Sequence, residues 1–257
     1  MKPITVATWN IHGGVGLDGR RMPTRIADAL AQTEADVIAL QEFAAPRGTL
    51  DGFGAELESR LAMRACIGVT FRTQRREFGN VVLSRRPILD ARCIDLSFGV
   101  REPRNAIETT IDVGGAQLRV IATHLGLAAA ERRAQVALLA DRLAGTGVPT
   151  ILLGDFNEPK RRGTLAALAP HVESGASAPT FPSWCPLLRL DRIFVTPPLR
   201  ADLRVQRDRR SRIASDHLPL LADIDIAALA AGSDRTASTQ PSRITMQAGS
   251  RGEEEAS

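Results

Sequence analysis

Six short polar clusters stand where apolar runs stop or start. Thr5-Val6-Ala7-Thr8-Trp9 runs into Asn10, and Val37-Ile38-Ala39-Leu40 into Gln41-Glu42. The run Leu118–Ala122 meets Thr123-His124, and Ile151-Leu152-Leu153 meets Gly154-Asp155-Phe156-Asn157. Two further clusters precede their runs: Arg189-Leu190-Asp191 before Ile193-Phe194-Val195, and Ser215-Asp216-His217 before Leu218-Pro219-Leu220-Leu221. Carboxylate and amide oxygens without a thiol suit a hard cation such as Mg²⁺ or Mn²⁺, which takes one or two carboxylates and keeps several waters. Two histidines add acid–base capacity. That set is sufficient for attack of water on a phosphodiester, which needs neutralised phosphoryl charge, an aligned water and donors for the developing oxyanion. There is no G-x-S-x-G elbow and no Cys–His case, so covalent acyl transfer is unsupported. The absence of tyrosine excludes a phenol as nucleophile or acid.

These residues serve one reaction only if the chain brings them to one place. Short β-rich runs bounded by turn residues predict strands at Ile4–Trp9, Val37–Leu40, Ile67–Phe71, Val81–Leu83, Ala106–Ile111, Leu118–Ala122, Thr150–Leu153, Asp191–Val195 and Leu218–Ile224. Helical patterns start at Pro23, burying Ile26, Ala29 and Leu30, and run from Ala129 to Leu143 with Val136, Leu139 and Leu143 on one stripe. Several strand pairs have no helix between them, which favours mixed sheets. Open α/β sheets build sites at strand carboxyl ends. If the strands after Asp191 and His217 run antiparallel to the first four, Glu42, Asp155, Asp191, Asp216, His124, His217, Asn10 and Asn157 share one rim. The literal Gly14-x-Gly16-x-x-Gly19 does not make a dinucleotide site, because the helix begins several residues later, near Pro23.

The chain has 257 residues, 44% hydrophobic and 24% charged, the balance of an ordinary soluble globule. Residues 1–230 read as one catalytic domain. Residues 231–257 have few large apolar side chains and end in Glu253-Glu254-Glu255, and read as a disordered tail. Only Lys2 and Lys160 are lysines among 33 basic residues; the other 31 are arginines, whose planar forks suit phosphate as well as a solvated surface. Three scattered cysteines support neither a disulfide framework nor a structural zinc. With no apolar run near the ~20 residues that span a bilayer, the expectation is a cytoplasmic protein. Trp9 and Trp184 are expected to be packing residues.

Thr8-Trp9-Asn10-Ile11-His12, Leu40-Gln41-Glu42, Thr123-His124-Leu125, Gly154-Asp155-Phe156-Asn157, Leu190-Asp191-Arg192-Ile193-Phe194 and Ser215-Asp216-His217-Leu218-Pro219 together resemble, in order, the motifs of the endonuclease/exonuclease/phosphatase (DNase I-like) superfamily. Phe78–Arg85, Arg101-Glu102-Pro103-Arg104 and Thr180-Phe181-Pro182-Ser183 resemble its small bacterial metal-dependent hydrolases. The resemblance implies a four-layer α/β-β/α sandwich, two packed mixed β-sheets flanked by helices. It implies Glu42 as principal Mg²⁺ or Mn²⁺ ligand with Asn10 and Asp216 close by, and Asp155 orienting or deprotonating water. Asn157 would hold that water and a phosphate oxygen; His217, held by Asp191, and His124 would meet the phosphate. Asn80 and Arg104 are expected near the substrate, as is His12, which is either metal-proximal or a polar partner of the Gly-rich turn. The implied activity is a phosphoesterase, foremost a phosphodiesterase. A DNA or RNA nuclease, a phospholipid or inositol headgroup phosphodiesterase and a non-catalytic binding module stay open. His12 stands where AP endonucleases carry an acid, which sides with the phosphodiesterase-like and DNase-like branches. The expected partner is a phosphate ester (nucleic acid, lipid headgroup or small phosphodiester), with no stable protein partner and a monomeric state.

Overall fold

Period-two alternation sets the architecture. The structure, a computed structural model, describes residues 2–145, 147–160, 163–173, 177–232 and 244–247. Its strands and helices, in chain order, are β1 (Ile4–Asn10), α1 (Pro23–Ala31), β2 (Val37–Pro46), α2 (Leu50–Leu61), β3 (Arg64–Arg72), β4 (Arg76–Ser84), β5 (Ile88–Asp95), β6 (Asn105–Asp112), β7 (Gln117–His124), α3 (Ala129–Leu143), β8 (Thr150–Asp155), β9 (Asp191–Val195), β10 (Arg200–Val205), α4 (Arg209–Ala214), β11 (Leu220–Asp225) and β12 (Ile244–Gln247). They form a seven-stranded sheet, β10-β11-β1-β2-β4-β3-β12, and a five-stranded one, β5-β6-β7-β8-β9.

Both faces of each sheet are covered. Ile4, Val6, Ala39 and Val82 of the first sheet pack on Ile107, Val120, Ala122, Ile151 and Leu153 of the second. The first sheet's other face, with Ala7, Trp9 and Leu40, takes Ile26 and Leu30 of α1 and Leu57 of α2. The second sheet's outer face, with Ile121 and Leu152, takes Val136, Leu139 and Leu143 of α3. The result is the four-layer sandwich, and burial on both faces explains why these strands read as continuous apolar runs.

Strand direction meets the condition for one rim. β1 is parallel to β2, and β7 to β8. β11 is antiparallel to β1, and β9 to β8. The starts of β9 and β11 therefore lie at the same edge as the ends of β1, β2, β7 and β8. The Gly14–Gly19 turn bears out the rejection of a dinucleotide site: α1 starts only at Pro23, and a Cβ on Gly16 would stand 2.4 Å from the Ile213 carbonyl oxygen, so close packing on α4 demands that glycine.

Five elements escape the strand and helix readings: α2, β5, β10, α4 and β12. Within the segment read as a tail, Ile244–Gln247 forms β12, parallel to β3. The open edge of β3 offers unpaired backbone groups, which a short β-capable stretch can satisfy. The rest of that segment beyond residue 232 lies outside the described residues. Trp184 corrects its expectation, being 68% exposed, whereas Trp9 is fully buried. No helix among the described residues is long and apolar enough to cross a membrane.

Candidate active site

The parity that buries the apolar side chains between the sheets also delivers the polar ones to their rim. Ile151 and Leu153 point between the sheets, and Asp155, two further on, points the same way at the strand end. The same step carries Val6 to Asn10, Ala122 to His124, and Asp191 into line with Ile193. Glu42 would face the helices by this count, because Ile38 and Leu40 do. A register shift between Leu40 and Phe43 inserts a bulge there, and Glu42 takes φ +54°, so its carboxylate joins the others. His12 and Asn157 also hold positive φ, at +47° and +50°. Such backbone is costly for non-glycine residues and collects where a site over-determines it.

Asn10, His12, Glu42, His124, Asp155 and Asn157 line a cleft of about 490 Å³, with Asp191 buried behind it. Asn10 is its brace: its Nδ2 donates to Glu42 Oε1 at 2.9 Å and to Asp155 Oδ2 at 3.0 Å, crossing from one sheet to the other. Its Oδ1 accepts the His12 backbone N–H at 3.0 Å. Asp155 is buried, with Oδ2 3.7 Å from His124 Nε2 and 3.8 Å from His217 Nε2. Its other oxygen accepts the backbone N–H of Asn157 at 2.9 Å. Asn157 in turn donates through Nδ2 to the Leu125 carbonyl at 2.8 Å and lies 3.1 Å from His124 Nε2.

His217 is held from three sides. Its Nδ1 is 2.8 Å from Asp191 Oδ2, which also accepts the Thr180 hydroxyl at 2.5 Å. Its carbonyl accepts from Trp9 Nε1 at 2.9 Å, and Phe181 leans on the ring at 4.8 Å between centroids. Burial opposes charge on this imidazole, but the carboxylates of Asp191, bonded to it, and of Asp155 and Asp216 outweigh that and push its pKa up to about 10. His124 goes the other way. Burial, with Arg104 and His217 nearby, outweighs Asp155 and takes it down to about 3, so it is a neutral ring at pH 7.

Glu42 shows what the cleft lacks. Burial raises its pKa, the Asn10 hydrogen bond and His12 pull it back, and the Asp155 and Asp216 carboxylates raise it further. No lysine or arginine of the described chain is bonded to it. A carboxylate that converges on others with no lysine or arginine bonded to it belongs to the donor set of a hard divalent cation. Among the described residues, Asp155, Asp191 and His217 also have ligand atoms within 4.8 Å of one another. The 2.8 Å hydrogen bond already joins two of that trio, so the oxygens open to a cation are those of Glu42 and the partly exposed Asp216.

The remaining nominated residues divide. His12 does two things: its backbone carbonyl accepts the Val15 N–H in the Gly-rich turn, and its ring comes within 4.0 Å of Asp216. Asn80 lies in the cleft wall, yet its Nδ2 is committed to Asn105 Oδ1 at 2.8 Å, tying β4 to β6. Arg104 lines the cleft and reaches His124 Nδ1 at 3.2 Å. Sequence reasoning missed Thr180, Phe181, Glu102 and the stacked Phe71–Phe78 pair, all but Thr180 on the cleft. Thr180, Phe181 and Glu102 lay within quoted motif runs, which was the available signal.

Gly154 makes the contact between His124 and Asp155 possible. It has φ +148°, and a Cβ there would stand 1.9 Å from the Thr123 carbonyl oxygen. Gly154→Ala must push β7 and β8 apart, with an expected loss of about 1–3 kcal/mol measured by denaturant or thermal unfolding.

Comparison with known proteins places this arrangement. The model of the Endonuclease/Exonuclease/phosphatase family matches residues 7–217. The uncharacterized protein YbhP of Escherichia coli K12 is 32% identical over 245 residues, which cover 86% of this chain and 96% of that one. Among solved structures, an endonuclease/exonuclease/phosphatase from Beutenbergia cavernae DSM 12333 superposes with a TM-score of 0.74 at 24% identity, over 87% of this chain and 72% of that one. Mannosyl-6-phosphatase Bt3783 of Bacteroides thetaiotaomicron gives 0.67 at 18% identity, over 87% of this chain and all of the other.

Proposed function

The chain belongs to the endonuclease/exonuclease/phosphatase family, and from that premise we propose that it is a Mg²⁺- or Mn²⁺-dependent phosphoesterase that hydrolyses a phosphodiester by in-line attack of water. The observation that carries this reading is the Asp155 carboxylate, buried between two imidazoles and braced by Asn10 beside the uncompensated Glu42. Glu42 and Asp216 would hold the cation, with Asn10 beside them. Bound there, a divalent ion supplies neutralisation of phosphoryl charge.

The chain's own residues do the rest. Asp155 orients the attacking water and takes its proton, and the Asn157 amide, fixed by the Leu125 carbonyl, holds that water against a phosphate oxygen. His217 meets the phosphate as a cation, its charge secured by Asp191. A charged donor aimed at developing oxyanion density is worth most in a site shielded from water. His124 is the second, neutral contact to the phosphate, with Arg104 behind its Nδ1. His12 and Asn80 shape the two walls. The same reading has the protein acting as a monomer in the cytoplasm, its partner a phosphate ester.

The test is hydrolysis of bis(p-nitrophenyl) phosphate with Mg²⁺, with Mn²⁺ and with EDTA. Turnover is expected with either cation, is abolished by the chelator and returns on adding metal back. Turnover indifferent to EDTA would sink the metal-dependent mechanism. A folded, metal-binding protein inert on any phosphate ester would favour the binding-module reading.

A further inference from the structure

One wall of the cleft carries a charge pair of which the proposed chemistry uses only the arginine, as the group behind His124. Glu102 Oε1 is 3.0 Å from Arg104 Nη1, and the same nitrogen is 3.2 Å from His124 Nδ1. The Arg104 side chain is 11% exposed, that of Glu102 52%, and both line the cleft. A guanidinium only donates, so Nη1 is committed to Glu102 and to His124. A ring nitrogen that accepts a hydrogen bond from arginine belongs to an uncharged imidazole. Among the described residues neither Nε nor Nη2 has a protein partner, and with Nε buried the Nη2 arm is the one left for a ligand in the cleft.

The local charge follows. Arg104 contributes one positive charge, Glu102 one negative charge in contact with it, and His124 none. A phosphodiester brings a single negative charge to this wall, and the free arm of Arg104 can meet it. A phosphate monoester near neutral pH carries close to two, and the second must approach the Glu102 carboxylate in a cleft where solvent screening is incomplete. Discrimination of this kind works through a repulsive group set against the wrong ligand. We propose that Glu102 is a specificity-determining residue, its carboxylate, paired with Arg104, admitting singly charged phosphodiesters and disfavouring doubly charged monoesters. The proposal rests on the phosphoesterase reading only for the location of the phosphate, and it names the ester class that the site accepts.

Glu102→Gln tests it, since the amide oxygen can still accept from Arg104 while the charge is gone. Calorimetric titration at pH 8 with Mg²⁺ compares inorganic phosphate, mostly a dianion, with dimethyl phosphate, a monoanion. The variant is expected to bind phosphate about tenfold more tightly relative to dimethyl phosphate than wild type does. In kinetics the kcat/KM ratio of p-nitrophenyl phosphate over bis(p-nitrophenyl) phosphate rises by a similar factor, mainly through KM. Glu102→Asp, which keeps the charge, retains the wild-type preference. Equal changes for both ligands, no change, or no binding of either anion to wild type and variant would overturn the proposal and leave Glu102 as an anchor for Arg104. Shifted binding ratios in a protein that hydrolyses neither ester would instead uphold the selectivity and bring down the phosphoesterase reading.

Discussion

Asp155→Asn is expected to lower kcat on bis(p-nitrophenyl) phosphate by about 10³–10⁴-fold while the protein remains folded. The substitution keeps the volume of a side chain that is 1% exposed, so it opens no cavity. The amide oxygen can still accept the Asn157 N–H, which at 2.9 Å fixes the loop after β8. What disappears is the basic oxygen that faces both imidazoles and the Asn10 amide. The neighbours are poor replacements: His217 is held protonated by Asp191, Glu42 is the carboxylate best placed for the cation, and His124, its pKa taken down to about 3, is a weak base. Steady-state kinetics beside a circular-dichroism melt would check this. A loss under about tenfold in a folded variant would move the base role away from Asp155, with His124 the next candidate, since its depressed pKa leaves it unprotonated at pH 7.

The rim was legible because the polar clusters share a parity with the buried runs before or after them, as Asp155 does with Ile151 and Leu153. Glu42 is the instructive exception. Its place depends on a bulge and a positive φ that no residue pattern around Leu40-Gln41-Glu42-Phe43 announces, so its position at a strand end nominated it while strand parity alone would have turned it away from the rim. The missed elements fail for local reasons. α2 carries Gly52 and Gly54, which weaken helix propensity, yet a Cβ at Gly54 would stand 2.6 Å from the Ile67 Cδ1 methyl, so the present packing of α2 on β3 favours the residue that hides the helix. β10 is an edge strand with alternating Arg200, Asp202 and Arg204, charges that suit an edge and mask a strand. Its apolar partners Ala201, Leu203 and Val205 alternate faithfully, so that signal was present in the sequence. The Arg104–Glu102 contact was not, since it depends on rotamers at the start of β6.

Asp191→Asn is the second large effect, and it falls on stability as well as rate. Asp191 is fully buried and His217 is 4% exposed. The pair is joined at 2.8 Å, and Asp191 Oδ1 is buried without a hydrogen-bond partner among the described residues. Removing the bonded partner of a buried ion pair costs about 3–5 kcal/mol, and here it leaves the His217 charge only the unbonded Asp155 at 3.8 Å and Asp216. For a chain of this size that is a fall in Tm on the order of 6–20 °C. The pH dependence has a definite sign. An unfolded histidine titrates near ~6.5, and in the folded protein His217 is raised to about 10. The pair's stabilisation is therefore fully present below about pH 6.5 and is lost as pH rises through about 10. The gap between wild type and Asp191→Asn should be widest near pH 6 and should close toward pH 10. Turnover should drop by at least about 10²-fold at pH 7, and its basic limb should move down in pH because His217 then deprotonates earlier. Thr180→Val, which keeps the shape and removes only the hydroxyl donated to Asp191 at 2.5 Å, isolates the share of that hydrogen bond. Melts from pH 6 to 10 decide between the two accounts. A destabilisation constant across that range would mean that Asp191 supports the strand by packing and hydrogen bonding, and that the charge on His217 is not what the carboxylate is there to hold.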